Sequence, residues 1–185
     1  MNLEDYGFTR EVYLLDDTKQ ENFIPARITA VHKERYAFVC EHGEGFGRLK
    51  SSIYFGGTEE FPTTGDFVKI NYNYSGDSQI VKTLVRKSFF SRRDPSPGRG
   101  EQAVAANFDY VFIMQSLNLD FNLKRMERYV TLAWQSGAVP VLILTKADLV
   151  DDYSEHVKAA EKVACGIEIH AISAVSGVGL DGLAD

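Results

Sequence analysis

Thr145-Lys146-Ala147-Asp148 closes a run of branched apolar residues, Val139 to Leu144, and Ser173-Ala174 closes a second run, Ile167 to Ile172. An acid held at the end of a buried strand offers two adjacent lone-pair acceptors to a heterocycle with two adjacent donors. Guanine displays such an edge in its ring N1–H and exocyclic amine, and Asp148 is the residue able to accept from both. Each charge-assisted bond of this kind contributes roughly 1.5–3 kcal/mol. Adenine lacks the paired donors and would leave the carboxylate desolvated and partly unpaired, so discrimination should be strong. The stem of Lys146 can lie across the base plane. The Thr145 hydroxyl can brace the loop, and the backbone N–H of Ala174, next to Ser173, can meet the guanine carbonyl oxygen.

Phosphates need different residues: a glycine-rich loop, a Lys on the phosphates and a Ser or Thr on Mg²⁺. No G-x-x-x-x-G-K-[ST] occurs in the sequence, and Gly177-Val178-Gly179-Leu180 has no Lys after it. The expectation is therefore a base-reading half that comes first, with the phosphate loop beyond residue 185. That order requires a circular permutation, and it leaves no catalytic residue in this stretch. His32, His42, His156 and His170 form no ligand spacing, so no metal site is expected. Asp151 and Asp152 suit the start of a helix, where acids are favoured.

The elements that must hold these residues read as α/β from about residue 105. Asp109 to Gln115 and Val139 to Leu144 are near-continuous apolar strands, as buried parallel strands are. Between them, Leu123, Met126, Val130 and Ala133 recur at helical spacing, with Asn122 as cap and Gly137 as stop. A further helix from about Tyr153 to Cys165 and the strand Ile167 to Ile172 complete a strand–helix–strand–helix–strand series. Its product is a parallel sheet with flanking helices, and ligands of such sheets bind at the C-terminal strand ends.

The first half has another grammar. Ile24 to His32, Arg35 to Glu41, Gly45 to Lys50, Asp66 to Tyr72 and Gln79 to Arg86 are short strands separated by turn residues, with room for one helical turn from Ser51 to Gly57. Five strands with an irregular piece after the third predict an OB-type β-barrel over residues 1–90, preceded by an arm over 1–20. Residues 91–104, with Pro95, Pro97, Gly98 and Gly100, read as a linker between this barrel and a second domain over 105–185. Lys82 to Arg99 carries six basic residues against one acid, although the net charge of the 185 residues is −6. Cys40 and Cys165 lie far apart in apolar surroundings and read as buried, reduced thiols of a cytoplasmic protein. No apolar stretch approaches the roughly 18 residues of a membrane span.

Beyond these readings the chain resembles one family, the circularly permuted, small-ribosomal-subunit-dependent GTPases called RsgA or YjeQ. The likeness rests on Ala105 to Val111, Ser116 to Asn122, Arg128-Tyr129, Ser136-Gly137-Ala138, Leu144 to Leu149 and Ser173 to Leu180. It implies an OB domain, a permuted P-loop GTPase domain and a zinc-binding C-terminal domain, of which this chain would carry the first and part of the second. It implies GTP or GDP as ligand, Mg²⁺ with the phosphates, and zinc only in the part lying beyond this chain. The guanine-binding residues it implies are Thr145, Lys146, Asp148, Ser173 and Ala174; the Thr stands where Asn is commoner in GTPases.

The same resemblance implies a role in late maturation of the small ribosomal subunit, with that subunit and its rRNA as partners. OB folds bind nucleic acid through an exposed face and its loops. The candidates here are Arg35, Tyr36, Arg48 and Lys50, with Tyr54 and Phe55 beside them, and Arg92 and Arg93 in the basic linker. A sheet of three parallel strands is expected to leave Val111, Ile113, Leu142, Leu144 and Ile169 short of cover and to favour self-association. A different class of reading is a non-catalytic RNA-binding adaptor with a degenerate nucleotide fold; a phosphate loop encoded after Asp185 would distinguish the two.

Overall fold

Alternating inward apolar residues draw five strands around one core. In the computed structural model, which describes residues 2–9, 23–55, 60–93 and 101–184, these are β1 (Ile24–Val31), β2 (Tyr36–Cys40), β3 (Gly43–Leu49), β4 (Phe67–Asn71) and β5 (Ser78–Thr83). They close as a barrel in the order β1-β2-β3-β5-β4. β3 and β5 run parallel, and the other neighbours are antiparallel. With the short helix α1 (Ser51–Tyr54) between β3 and β4, this is the OB arrangement. Ala26, Ile28, Phe38, Val68, Ile70 and Ile80 fill the barrel, and Tyr54 of α1 plugs it. Of the arm expected over residues 1–20, a 3₁₀ turn at Leu3–Tyr6 is described; residues 10–22 lie outside the described residues.

The linker expectation is corrected at both its ends. β6 (Phe89–Arg93) and β7 (Glu101–Ala106) pair antiparallel, so the segment is a hairpin. A Pro/Gly cluster ends strands, but it joins them equally well when strand-forming residues such as Phe89, Phe90 and Val104 flank it. Residues 94–100 lie outside the described residues. The hairpin base is tied to the barrel: Ala106 N–H donates to Thr64 O at 2.9 Å, Asn107 Nδ2 to Gly65 O at 3.1 Å, and Arg27 Nη2 to Asn107 O at 3.1 Å. Gly65 is required there. Its φ is +90°, and a Cβ would run into the Ala106 carbonyl oxygen. The division between the two structural units falls after Phe108.

Arg86, counted above in the basic stretch, belongs to the barrel. It donates from Nε and Nη2 to the two oxygens of Asp66, both at 2.8 Å, and from Nη1 to Glu60 at 2.6 Å. Asp66 is 0% exposed and also accepts from Thr63 N–H. The guanidinium and the carboxylate satisfy each other in a fork-to-fork pair, so this charge is not on offer to a partner.

The second unit holds β8 (Tyr110–Ser116), α2 (Leu123–Gln135), β9 (Val139–Thr145), α3 (Ser154–Val163), β10 (Glu168–Ala171) and α4 (Asp181–Ala184). The three strands are parallel in the order β10-β9-β8. Asn122 Oδ1 accepts from Arg125 N–H to cap α2, and Gly137, at φ +84°, ends it. Asp152 Oδ1 accepts from Ser154 N–H at the start of α3, and hydrogen bonds from the Ser154 hydroxyl and then its N–H hold the carboxyl below the ordinary range. Helices α2 and α3 cover one sheet face. Ile113, Leu142 and Leu144 are buried there, with Val111 and Ile169 against them. These are the residues expected to lack cover, and the parity was misassigned. The exposed stripe is Tyr110, Phe112 and Met114, on the other face of β8. Cys40 is buried as expected, and burial pushes its thiol up. Cys165 is exposed, because the turn after α3 buries Ala164 instead. Among the described residues no helix is long and apolar enough to cross a membrane.

Candidate nucleotide-binding site

The register of the parallel sheet sets the ends of the three strands side by side, with Ser116 paired to Thr145 and Ala171 to Leu144. Leu117 N–H donates to Thr145 O, Ile172 N–H to Leu144 O and Ala147 N–H to Ile172 O, so the three loops form one rim. Lys146 makes the sharp bend. Its φ is +61°, the left-handed region that non-glycine residues seldom enter. The bend starts the 3₁₀ turn Ala147–Leu149, leaves the Lys146 side chain exposed, and brings Asp148 back toward the end of β10. Thr145 braces the rim, its hydroxyl donating to the Gln115 carbonyl at 3.4 Å.

Ser173 is the hub. It is 0% exposed, and its hydroxyl donates to Asp148 Oδ1 at 2.5 Å while accepting from Ser176 N–H at 3.1 Å. Its own N–H goes to Val178 O, and its carbonyl accepts from Gly177 N–H. Every polar group of the residue is spent on fixing the two loops, so a small side chain with both a donor and an acceptor is needed here. Gly179 completes the turn at φ +75°, where a Cβ would strike the Ala171 carbonyl oxygen. Asp148 itself is exposed, with no cationic partner among the described residues. Ala174 is exposed, and its backbone N–H has no partner among the described residues. All five sequence-predicted residues therefore share one rim, with an acceptor, a donor and a cation facing solvent.

Two supports were not read from the sequence. Buried Gln115 bridges the loop after β8, accepting from Asn122 N–H at 2.9 Å and donating to Asn122 O at 3.2 Å. A polar residue interrupting the end of an apolar strand was the available signal. Ser176, which locks the Ser173 hydroxyl, carried none.

These residues fit the base of a guanine nucleotide. They do not fit its metal: the phosphate-loop Ser or Thr is missing from the sequence, and among the described residues no three His, Cys, Asp or Glu are grouped to hold an ion. The same holds for zinc.

The candidate RNA residues scatter more. On the outer face of β2 and β3, the Arg35 guanidinium stacks 4.0 Å from the Phe46 ring centroid, and His32 lies beside the same ring. Arg48 shares that face, since strand residues two apart do, but it is paired with Asp77 at 2.7 Å. Tyr36 has the opposite parity, packs against the barrel core, and burial pushes its phenol up. Tyr54 is core, its hydroxyl 3.1 Å from Thr83 Oγ1, whereas Phe55 is 73% exposed. Lys50 is half-buried at the start of α1. Arg92 donates to Gln102 across the hairpin at 3.2 Å, and the Arg93 backbone pairs with Glu101.

The model of the RsgA GTPase family matches residues 83–185, more than half of the chain. The small ribosomal subunit biogenesis GTPase RsgA 1 of Listeria monocytogenes is 42% identical over 184 residues, covering 99% of this chain and 51% of its own length. RsgA 2 of Lactiplantibacillus plantarum is 36% identical over 185 residues, with 99% and 52% covered. The chain thus spans about half the length of the curated relatives it matches. Among solved structures, YjeQ from Thermotoga maritima superposes with a TM-score of 0.70 at 19% identity, over 88% of this chain and 56% of that one. YloQ, described as a circularly permuted GTPase, gives 0.64 at 16% identity, over 92% and 57%. At such identities these two show a common fold.

Proposed function

The chain belongs to the RsgA GTPase family, and from that premise we propose that it supplies guanine recognition and RNA binding to a cytoplasmic GTPase acting in late maturation of the small ribosomal subunit. The observation that carries the reading is the 2.5 Å bond from the Ser173 hydroxyl to Asp148 Oδ1. One carboxylate oxygen is oriented by that bond, and the carboxylate is aimed, before any ligand arrives, so that it can accept from guanine N1–H and the exocyclic amine. Such preorganisation lowers the cost of binding. Lys146 lies across the base plane, Thr145 holds the rim, and the Ala174 N–H receives the guanine carbonyl oxygen.

Hydrolysis needs phosphate and metal groups that the residues present do not provide. By itself this polypeptide turns over no GTP; in the longer proteins of the family the subunit would stimulate hydrolysis. RNA contacts come from Arg35 stacked on Phe46, from Lys50, and from Arg92 and Arg93 of the hairpin. Arg48 joins them only by exchanging Asp77 for a phosphate. Support for an RNA partner comes from the names of the relatives, small ribosomal subunit biogenesis GTPases, together with OB topology, whose usual ligands are oligonucleotides and oligosaccharides.

Co-sedimentation tests the assignment. The chain is expected to travel with isolated small ribosomal subunits and not with large ones, and Arg92→Ala/Arg93→Ala should weaken that association and flatten its salt dependence, by about 0.7–0.9 in logarithmic slope per lost phosphate contact. Equal association with both subunits, or none with either, would overturn it.

A further inference from the structure

Residues 109–185 contain eleven acids and six Lys or Arg, and three of those six fall within five positions, at Lys124, Arg125 and Arg128. All three lie in the first half of α2, whose first turn has no acid. That placement works against the helix. Cations at an N-terminus oppose the macrodipole, and Lys124 and Arg128, four residues apart, are like charges on one face, where like charges destabilise. One amide of that end, that of Arg125, is already held by the Asn122 side chain. The cost attaches to the side chains, and places where a sequence breaks a local rule are expected at functional sites.

Arg125 is used internally: it pairs with Asp120 at 2.8 Å and reaches the Asp120 carbonyl. Lys124 and Arg128 are exposed, and among the described residues neither has an acidic partner. The Arg128 guanidinium lies 5.4 Å from the ring centroid of Tyr129, which is 42% exposed, and Leu132 is exposed one turn further along. We propose that this outer face of α2, centred on Lys124 and Arg128 with Tyr129 beside them, is a second RNA-binding surface. It rests on the reading that the partner is RNA, and it adds a contact on the nucleotide-binding unit itself.

The occupant follows from the chemistry. Protein–protein interfaces are enriched in Arg and Tyr but depleted in Lys, so Lys124 is the residue that speaks against a protein partner. A ribose–phosphate strand, in contrast, asks for unpaired cations about one helical turn apart, roughly 5–6 Å at Cβ, and accepts a ring against a sugar or base. The two side chains can meet neighbouring phosphates of one strand.

The test compares the whole chain with its Lys124→Ala/Arg128→Ala variant, binding to isolated small subunits and to deproteinised small-subunit rRNA over a series of KCl concentrations. The fold is checked by thermal unfolding, which the removal of two like charges should leave unchanged or raise. The expected result is at least a tenfold weaker affinity near 0.1 M salt on both probes, with a logarithmic salt slope shallower by roughly 1.4–1.8 for two lost contacts. If the unaltered chain binds and the variant matches it in slope, the α2 surface is overturned while the RNA reading stands. Loss on subunits without loss on bare rRNA would overturn it in favour of an acidic protein surface. If the unaltered chain binds neither probe, the RNA reading itself fails and takes this surface with it.

Discussion

At the scale of single residues, orientation matters more than inventory. Asp148 supplies the charge, but Ser173 decides where it points, from a fully buried position with all its polar groups engaged. Ser173→Ala should therefore weaken guanine-nucleotide binding roughly tenfold, about 1.5 kcal/mol for one lost bond to a charged group. Adenine nucleotides should be unaffected, a contrast readable by titration followed through amide shifts; equal loss for both bases would mean general loosening of the loop. Thr145, Lys146, Asp148, Ser173 and Ala174 could be found in the sequence because each ends or follows an apolar strand, and strand ends are where parallel sheets place ligands. Ser176 could not, because only its backbone N–H takes part, bonded to the Ser173 hydroxyl, and any residue but proline supplies that; Gln115 left only the signal of a polar residue ending an apolar strand. The RNA candidates show the other limit. Side-chain type suggested Arg48 and Tyr36, but only register reveals that Asp77 neutralises the first and the core takes the second.

At the scale of elements, the five-strand pattern was legible and the ion pair that ties it together was not. Arg86 lies in a run of basic residues, so composition counts it with them. In space it is clamped between Asp66 and Glu60 with its guanidinium 4.4 Å from the Phe89 ring centroid. Arg86→Ala would strand a carboxylate that has no exposure, and buried pairs broken on one side cost about 3–5 kcal/mol. Urea unfolding should report a loss of that size for residues 23–93, partly restored by adding Asp66→Ala; a loss below about 1 kcal/mol would show that water reaches Asp66. The hairpin of β6 and β7 was misread for a related reason. Prolines and glycines mark where strands stop, but whether the flanking strands pair with each other is a long-range fact. Parity caused the error in the second unit. A strand with apolar residues on both faces, such as β8, gives no sign of which face the helices cover, and the exposed stripe proved to be Tyr110, Phe112 and Met114.

At the scale of the whole molecule, an OB barrel with its hairpin and a three-stranded parallel sheet divide the work proposed for the chain: contact with RNA and reading of the base. The unit with the base site is the more acidic one, which makes the cations of α2 conspicuous within it. The central claim is that Asp148 reads guanine. The direct measurement is titration of the isotopically labelled chain with GDP, ADP and xanthosine diphosphate, for the unaltered protein and for Asp148→Asn, following the amides of Ala147, Asp148, Leu149 and Ala174. The amide side chain presents a donor where the carboxylate presented an acceptor, which matches xanthine and not guanine. The account predicts shifts with GDP and none with ADP in the unaltered chain, and in the variant a lost GDP response with a gained xanthosine diphosphate response. Equal responses to GDP and ADP, or an unchanged GDP response in Asp148→Asn, would contradict it.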